Sequence, residues 1–229
     1  AEEWLERATL LAKSLGDPRT LSIALASLAF ALQRTGKLEE AQAAYEEALE
    51  NAQTAGDAGT VATTRLNLAT VAKARGDLAK ALVHLEAAVD MGRRAGRVGT
   101  LRHALLNLAN RDLYLGRLSR AHVSIEHLSL ERDQLPPQMR AQLFALEAEL
   151  AMKSGDPARA ESLCSACRDA YVALGRPVDA AEAIVEGALA ALARASSGPA
   201  GALIADIGGR VAEAERLLGE SDAHRAALF

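Results

Sequence analysis

Aromatic side chains are scarce in this sequence. Phe, Tyr and Trp together make up 3% of a chain in which half the residues are apolar. A sizeable core can still be buried, but it has to be built from Ala and Leu, whose small or unbranched side chains favour helices and let them approach closely. Long apolar runs are also missing: none approaches the roughly 20 residues that span a bilayer. The opening Ala1-Glu2-Glu3-Trp4 has neither the basic nor the apolar region of a secretory leader. A cytoplasmic protein with no membrane partner is therefore expected. The two cysteines, Cys164 and Cys167, lie three apart in a helical stretch, so reduced thiols are expected rather than a disulfide framework. Basic charge is not in excess. A formal net charge of −4 and a pI near 5.8 give no overall attraction to phosphate and argue against direct nucleic-acid binding.

Catalytic signatures are lacking too. There is no Gly-rich phosphate loop, no His-Glu-x-x-His and no nucleophile elbow, and no nucleophile, base and stabiliser can be assembled from the motifs present. Neither enzymatic activity nor a cofactor is expected. His84, His103, His122, His127 and His224 are scattered. His122 and His127 stand five apart, which does not put them on one helical face, so no metal site is expected and they are read as surface or groove residues. The Cys164-x-x-Cys167 pair could suggest redox or metal chemistry, but it has no second pair and lies within a helix, where Cys packs as a small hydrophobe.

What the chain does have is regular punctuation. Gly-Lys-Leu-Glu-Glu-Ala at 36–41, Gly-Asp-Leu-Ala-Lys-Ala at 76–81 and Gly-Arg-Leu-Ser-Arg-Ala at 116–121 recur every 40 residues. Gly-Asp-Pro-Ala-Arg-Ala at 155–160 arrives one residue early. Midway between these turns stand Gly16-Asp17, Gly56-Asp57, Gly96-Arg97, Pro136-Pro137 and Gly175-Arg176. Glycine suits the left-handed position that ends a helix, and Pro157 suits a first helical turn. Between breakers the apolar residues recur at three and four, as in Leu25, Leu28, Ala29 and Leu32, then Ala41, Ala44, Tyr45, Ala48 and Leu49. Each interval thus holds one amphipathic helix of about 24–27 Å, paired with the next as a hairpin. A hairpin of that size cannot bury its apolar face alone, so stability accumulates between stacked neighbours. An all-α protein of about 11 helices is predicted, an α-α superhelix of antiparallel helix pairs whose first helices line a concave wall.

This pattern resembles the tetratricopeptide repeat family. In that family a Leu-Gly or Leu-Ala step between large residues marks the first helix, and a loop Gly, an Ala, an aromatic and another Ala mark the second. One repeat supplies Leu25, Leu28, Ala29, Leu32, Gly36, Ala41, Tyr45 and Ala48. The next supplies Leu68, Ala69, Ala72, Gly76, Ala81, Leu85 and Ala88. A third has Leu105, Leu108, Ala109, Gly116, Ala121 and Ile125. A fourth has Phe144, Ala148, Ala151, Gly155, Ala160, Cys164 and Cys167, which puts the two cysteines at positions the family buries. The 40-residue unit is longer than the family's common 34, and the family's terminal proline is missing. Units of this length resemble those of peptide-holding scaffolds and of bacterial regulators with helical sensor regions.

The ends are less regular. Ala1, Leu5, Ala8 and Gly16-Asp17 align 40 residues before Ala41, Tyr45, Ala48 and Gly56-Asp57, so the array over 1–195 is expected to begin in the second helix of a repeat, as a fragment of a longer protein would. Val178 to Ala193 reads as another first helix. A longer turn at Ser196-Ser197-Gly198-Pro199 then introduces a divergent repeat or capping segment over 196–229, expected to be interrupted at Gly208-Gly209.

Candidate binding residues lie on the first helices. Asn67 and Asn107 hold the same place in adjacent repeats, just before Leu-Ala, and Asn110 follows one turn later. Asparagine is mediocre in a helix interior, so a use for it is sought. The resemblance implies that Asn67 and Asn107 hydrogen-bond the backbone of an extended peptide. The alternative is that they bond to a neighbouring helix or to water. Ser27 and Leu146 hold the matching places in the first and fourth repeats. Thr63, Thr70, Lys73, His103 and Tyr114 are placed beside the asparagines, with Arg34 and Lys153 towards the two ends. Between 91 and 120 seven arginines (Arg93, Arg94, Arg97, Arg102, Arg111, Arg117, Arg120) face one acid, Asp112. That run reads either as a solvated face or as a patch that steers an acidic partner segment. The function expected is a protein-interaction scaffold that receives a peptide or helix in its groove. The alternatives are a regulatory or sensor region of a bacterial signalling or transcription protein, and a self-association module acting through exposed end faces.

Overall fold

The computed structural model describes residues 2–195 and 200–226, all-helical with no strand among them. The helices are α1 (Glu2–Leu15), α2 (Pro18–Arg34), α3 (Leu38–Thr54), α4 (Ala58–Ala74), α5 (Leu78–Arg94), α6 (Val98–Tyr114), α7 (Leu118–Leu130), α8 (Pro137–Lys153), α9 (Pro157–Ala173), α10 (Pro177–Arg194) and α11 (Ala200–Ala226). The predicted class and the expected helix count both hold. The lengthened turn expected at Ser196–Pro199 lies outside the described residues. Two compact units, Ala1–Leu108 and Ala109–Phe229, divide the chain within α6.

The glycine turns are made by the chemistry the punctuation implied. At the close of α3, Gly56 takes φ 64°, a left-handed conformation that a Cβ disfavours. Its N–H donates to the Gln53 carbonyl, and the Asp57 N–H reaches back to the Ala52 carbonyl, each at 3.0 Å. These are the two bonds of a Schellman ending. Asp57 then opens α4, its carboxylate accepting the Thr60 N–H at 3.0 Å. Two consecutive residues thus stop one helix and start the next. Asp17, Asp77 and Asp156 cap α2, α5 and α9 in the same way.

In the first unit α2, α3 and α4 meet around Tyr45. This residue is fully buried among Ala29, Leu32, Ala41, Leu68 and Val71, and its hydroxyl donates to Gln33 Oε1 at 3.3 Å. Burying an apolar side chain of that size contributes about 1.5–3 kcal/mol. Burial also pushes the phenol up to about 12. A second cluster, Ala69, Leu85 and Leu108, joins α4, α5 and α6.

The second unit contains the irregularity that brought the last turn one residue early. α7 runs for 13 residues where α5 runs for 17. A 3-10 turn, Arg132–Gln134, follows it before Pro137 opens α8. The turn is held by Glu147, a buried carboxylate of α8 that accepts from Ser129 Oγ at 2.7 Å and from Arg132 Nη2 at 2.5 Å. The Arg132 guanidinium also lies 5.0 Å from the Phe144 ring centroid. Beyond it, Ala141, Cys167, Tyr171, Ala180, Ile184, Ala214 and Leu217 form a core shared by α8 to α11.

The expected interruption at Gly208-Gly209 is corrected: α11 runs unbroken through both glycines. Two glycines cost a helix about 2 kcal/mol relative to alanine. Packing against α10 and an ion-pair cluster offset that penalty. Arg210, directly after the pair, bonds Glu161 of α9 and lies 3.0 Å from Asp206, and Glu161 also meets Arg194 of α10 at 3.1 Å.

Candidate functional site

In the first unit the exposed faces of α2 and α4 enclose a trough of about 520 Å³. The period that buries Leu25, Ala29 and Leu32 turns Ile23, Ser27 and Phe30 to the opposite side of α2, where Ile23 and Phe30 remain 53% and 52% exposed. On α4, burial of Leu68, Ala69 and Ala72 likewise presents Thr63 and Asn67. Arg97 supplies the one charge in the lining, and among the described residues no ion pair engages it. Thr64 also lines the trough. It is 1% exposed, and its hydroxyl has no hydrogen-bond partner among the described residues, a polar group of the sort that seeks a partner when buried.

The predicted residues are distributed as follows. Asn67 is half-buried and lines the trough. Thr63 lines it too, but its hydroxyl is engaged, 3.2 Å from both the Gly59 carbonyl and the Thr100 hydroxyl. Asn107 is exposed on α6, its amide donating to the His103 carbonyl at 2.8 Å. That internal bond uses one amide hydrogen and leaves its oxygen available. His103 is exposed too, and partial burial of its ring lowers its affinity for a proton. Thr70 donates to the Leu66 carbonyl at 3.2 Å, and Lys73 and Arg34 are exposed near the ends of α4 and α2. In the second unit, Asn110 and Tyr114 are exposed and the Arg111 guanidinium lies 5.5 Å from the Tyr114 ring centroid. Lys153 ends α8 and pairs with Glu149 at 3.4 Å.

Sequence reasoning missed Ile23 and Phe30. Their signal was legible: two large apolar residues seven apart that fall off the stripe of Leu25, Ala29 and Leu32.

The arginine-rich stretch is more neutralised than its composition suggested. Arg94 pairs with Asp90 at 3.1 Å. Asp112, fully buried, faces Arg117 and Arg120 at 3.7 and 3.4 Å. Arg111 is itself buried. The two cysteines are free and buried, their thiols pushed up to about 11 at Cys164 and about 12 at Cys167, chiefly by burial. Cys167 Sγ lies 3.5 Å from the Ala141 carbonyl, which is the behaviour of a packing residue. Among the described residues no cluster of His, Cys, Asp and Glu could hold a metal ion, and no helix is long and apolar enough to cross a membrane.

Comparison with known proteins agrees with this architecture. Residues 19–94, which span α2 to α5, match the family model described as tetratricopeptide repeat. No curated protein sequence matches the chain. Among solved structures, BtubC (BKLC) from P. vanneervenii is similar over 96% of this chain and 91% of its own, with a TM-score of 0.78 at 20% identity. A Podosopora anserina protein of kinesin-light-chain type, with nearly identical TPR-like repeats, is similar over 89% of this chain and 97% of its own, with a TM-score of 0.66 at 16% identity. A tetratricopeptide repeat protein from Parabacteroides merdae gives a TM-score of 0.51 at 16% identity, over 94% of this chain and 93% of its own. At such identities the likeness is one of fold.

Proposed function

We propose that this chain, whose residues 19–94 match the tetratricopeptide repeat model and whose repeats are of a kind that generally mediates protein–protein interaction, is a cytoplasmic scaffold that receives a partner peptide in the trough between α2 and α4. The observation that carries this reading is the juxtaposition of Ile23 and Phe30, each more than half exposed, with the amide of Asn67 across the trough. Large apolar side chains left open beside a polar wall are what a docked side chain covers. Asn67 offers a donor and an acceptor to an extended backbone. Arg97 at the rim favours an acidic residue in the ligand. Asn107 and His103 on α6, with Thr70, Lys73 and Arg34, extend the proposed contact set along the first helices, and Asn110, Tyr114 and Lys153 are its counterparts in the second unit. No chemical step is required of any of these residues.

The test is affinity against stability. Peptides selected on the intact chain from a displayed random library are measured by fluorescence anisotropy against Phe30→Ala, Asn67→Ala and Asn107→Ala. At least a tenfold loss for Phe30→Ala and Asn67→Ala, with Tm held within about 2 °C, supports the reading. Unchanged affinity, or a collapse of stability in place of affinity, contradicts it and returns the asparagines to packing roles.

A second reading, self-association, has its own observation. Trp4, Leu11 and Leu15 run along one side of α1 at 63–70% exposure. The matching positions on and just after α3, Ala44, Asn51 and Ala55, are each partly covered. Light scattering over a concentration series decides it, a strict monomer at high concentration being the adverse result. The regulatory reading turns on the domains of the full-length protein, and the complete gene tests it.

A further inference from the structure

A second trough, of about 820 Å³, lies in the second unit between α8 and α10, with Tyr171 of α9 and Ala214 and Leu218 of α11 also in its lining. Its chemistry differs from that of the α2–α4 trough. Met152 lines it from α8 and Val178, Val185 and Leu189 from α10, the last three being 40–49% exposed. Such a run of open apolar side chains on one helix face is what a partner element covers.

The rim is acidic, and the acids differ in what they face. Glu149 is paired with Lys153 at 3.4 Å, and Asp179 with Arg176 at 2.8 Å. Glu182 and Glu186 stand four residues apart on the exposed side of α10, and among the described residues neither is held in an ion pair. Side chains at that interval are about 5–6 Å apart, the same spacing as two residues one turn apart on any other helix. Two uncompensated carboxylates beside an apolar stripe repel an acidic ligand and complement a basic one. Their spacing favours a ligand that presents its charges with helical periodicity.

We propose that the α8–α10 trough docks a cationic amphipathic helix of a partner protein. Its apolar face covers Val178, Val185 and Leu189, and two Lys or Arg side chains one turn apart meet Glu182 and Glu186. It shares no lining residue with the α2–α4 trough, and neither proposal depends on the other.

The probe is a fluorescein-labelled 18-residue helical peptide of Leu, Ala and Lys with its lysines four apart, alongside the same peptide with Glu for Lys. Anisotropy titrations use the full chain, the double variant Glu182→Gln/Glu186→Gln, Leu189→Asp, and Phe30→Ala as a control in the other trough. The Lys peptide is expected to bind the native chain at least tenfold more tightly than the Glu peptide. The double variant and Leu189→Asp should each weaken binding at least tenfold, and Phe30→Ala should leave it unchanged. Circular dichroism melts establish that each variant is folded. Because Glu182 and Glu186 are exposed, the double variant keeps the test valid should Leu189→Asp fail to fold. Equal binding of the two peptides, an unaffected double variant, or loss of binding in Phe30→Ala overturns the proposal. So does sedimentation showing that the chain alone self-associates through this face, with the double variant monomeric, because the occupant would then be a second copy.

Discussion

Arg19 of α2 and Asp57, the cap of α4, meet at 3.1 Å, and 40 residues later the same two places are held by Gly59 and Arg97. The first pair ties one first helix to the next by charge. In the second, the acid has become an arginine and its partner a glycine. The Arg97 guanidinium lies where a Cβ on Gly59 would stand. One repeat therefore closes an ion pair, and the next directs a cation that no ion pair among the described residues engages to the rim of the α2–α4 trough.

Asp57 should be the more costly of these residues to remove. It caps α4, and the Thr60 N–H and the Arg19 guanidinium hold its carboxyl below the usual range near 3.8. Asp57→Ala is expected to destabilise by about 0.5–2 kcal/mol in urea denaturation, and Asp57→Asn, which also caps, by much less. The Asp17 and Asp77 carboxyls are lowered too, by hydrogen bonds at their own helix starts. A lowered folded value means the stabilisation is complete above the ordinary carboxylate range and is lost as pH falls through the folded values. Stability should thus decline below about pH 4, and Asp57→Asn should flatten that decline.

Gly59→Ala is expected to shift stability by no more than about 1 kcal/mol in either direction. Alanine gains about 0.5–1 kcal/mol in a helix interior, and the atoms it displaces are the far end of a flexible side chain. Comparing the urea midpoint with that of Gly59→Ala/Arg97→Ala separates the two effects. Relief of a clash predicts the double variant to be the more stable.

Gly208 and Gly209 make the opposite case. A Cβ at either position meets open space, and α11 is already helical there. Gly208→Ala and Gly209→Ala should each stabilise by about 0.5–1 kcal/mol, read as a rise in Tm.

The cysteines should be silent in the native chain. With both thiols buried and pushed up to about 11 and 12, the thiolate fraction at pH 8 is very small. Ellman's reagent should react at the rate of global unfolding and reach both thiols at once in 6 M guanidinium chloride. A fast native phase would contradict their packing role.

The fold was legible because its signals are local and repeated. Gly56 and Asp57 state a helix stop and a helix start within two residues, and Tyr45, Leu68 and Leu85 mark the buried stripe at each recurrence. The short α7 was not legible as such. The sequence displayed Pro136-Pro137 and a turn one residue early, but the anchoring of the 3-10 turn depends on Glu147 meeting Arg132 and Ser129 across more than a dozen residues. Gly208-Gly209 misled for the same reason, since the contacts of Arg210 with Glu161 join positions 49 apart. At the candidate site Asn67 could be found from its repeat position. Ile23 and Phe30 could be found only by asking which apolar residues fall outside the core stripe.

The most direct test of the scaffold account is methyl and side-chain amide NMR of the chain titrated with a peptide selected on it. The account predicts that the Ile23 methyl, Ala26 and the Asn67 amide shift together and saturate at one affinity, while Ala48, Ala52 and Ala88 on α3 and α5 stay still. Perturbations confined to α3 and α5, with Ile23 and Asn67 unmoved, would contradict it.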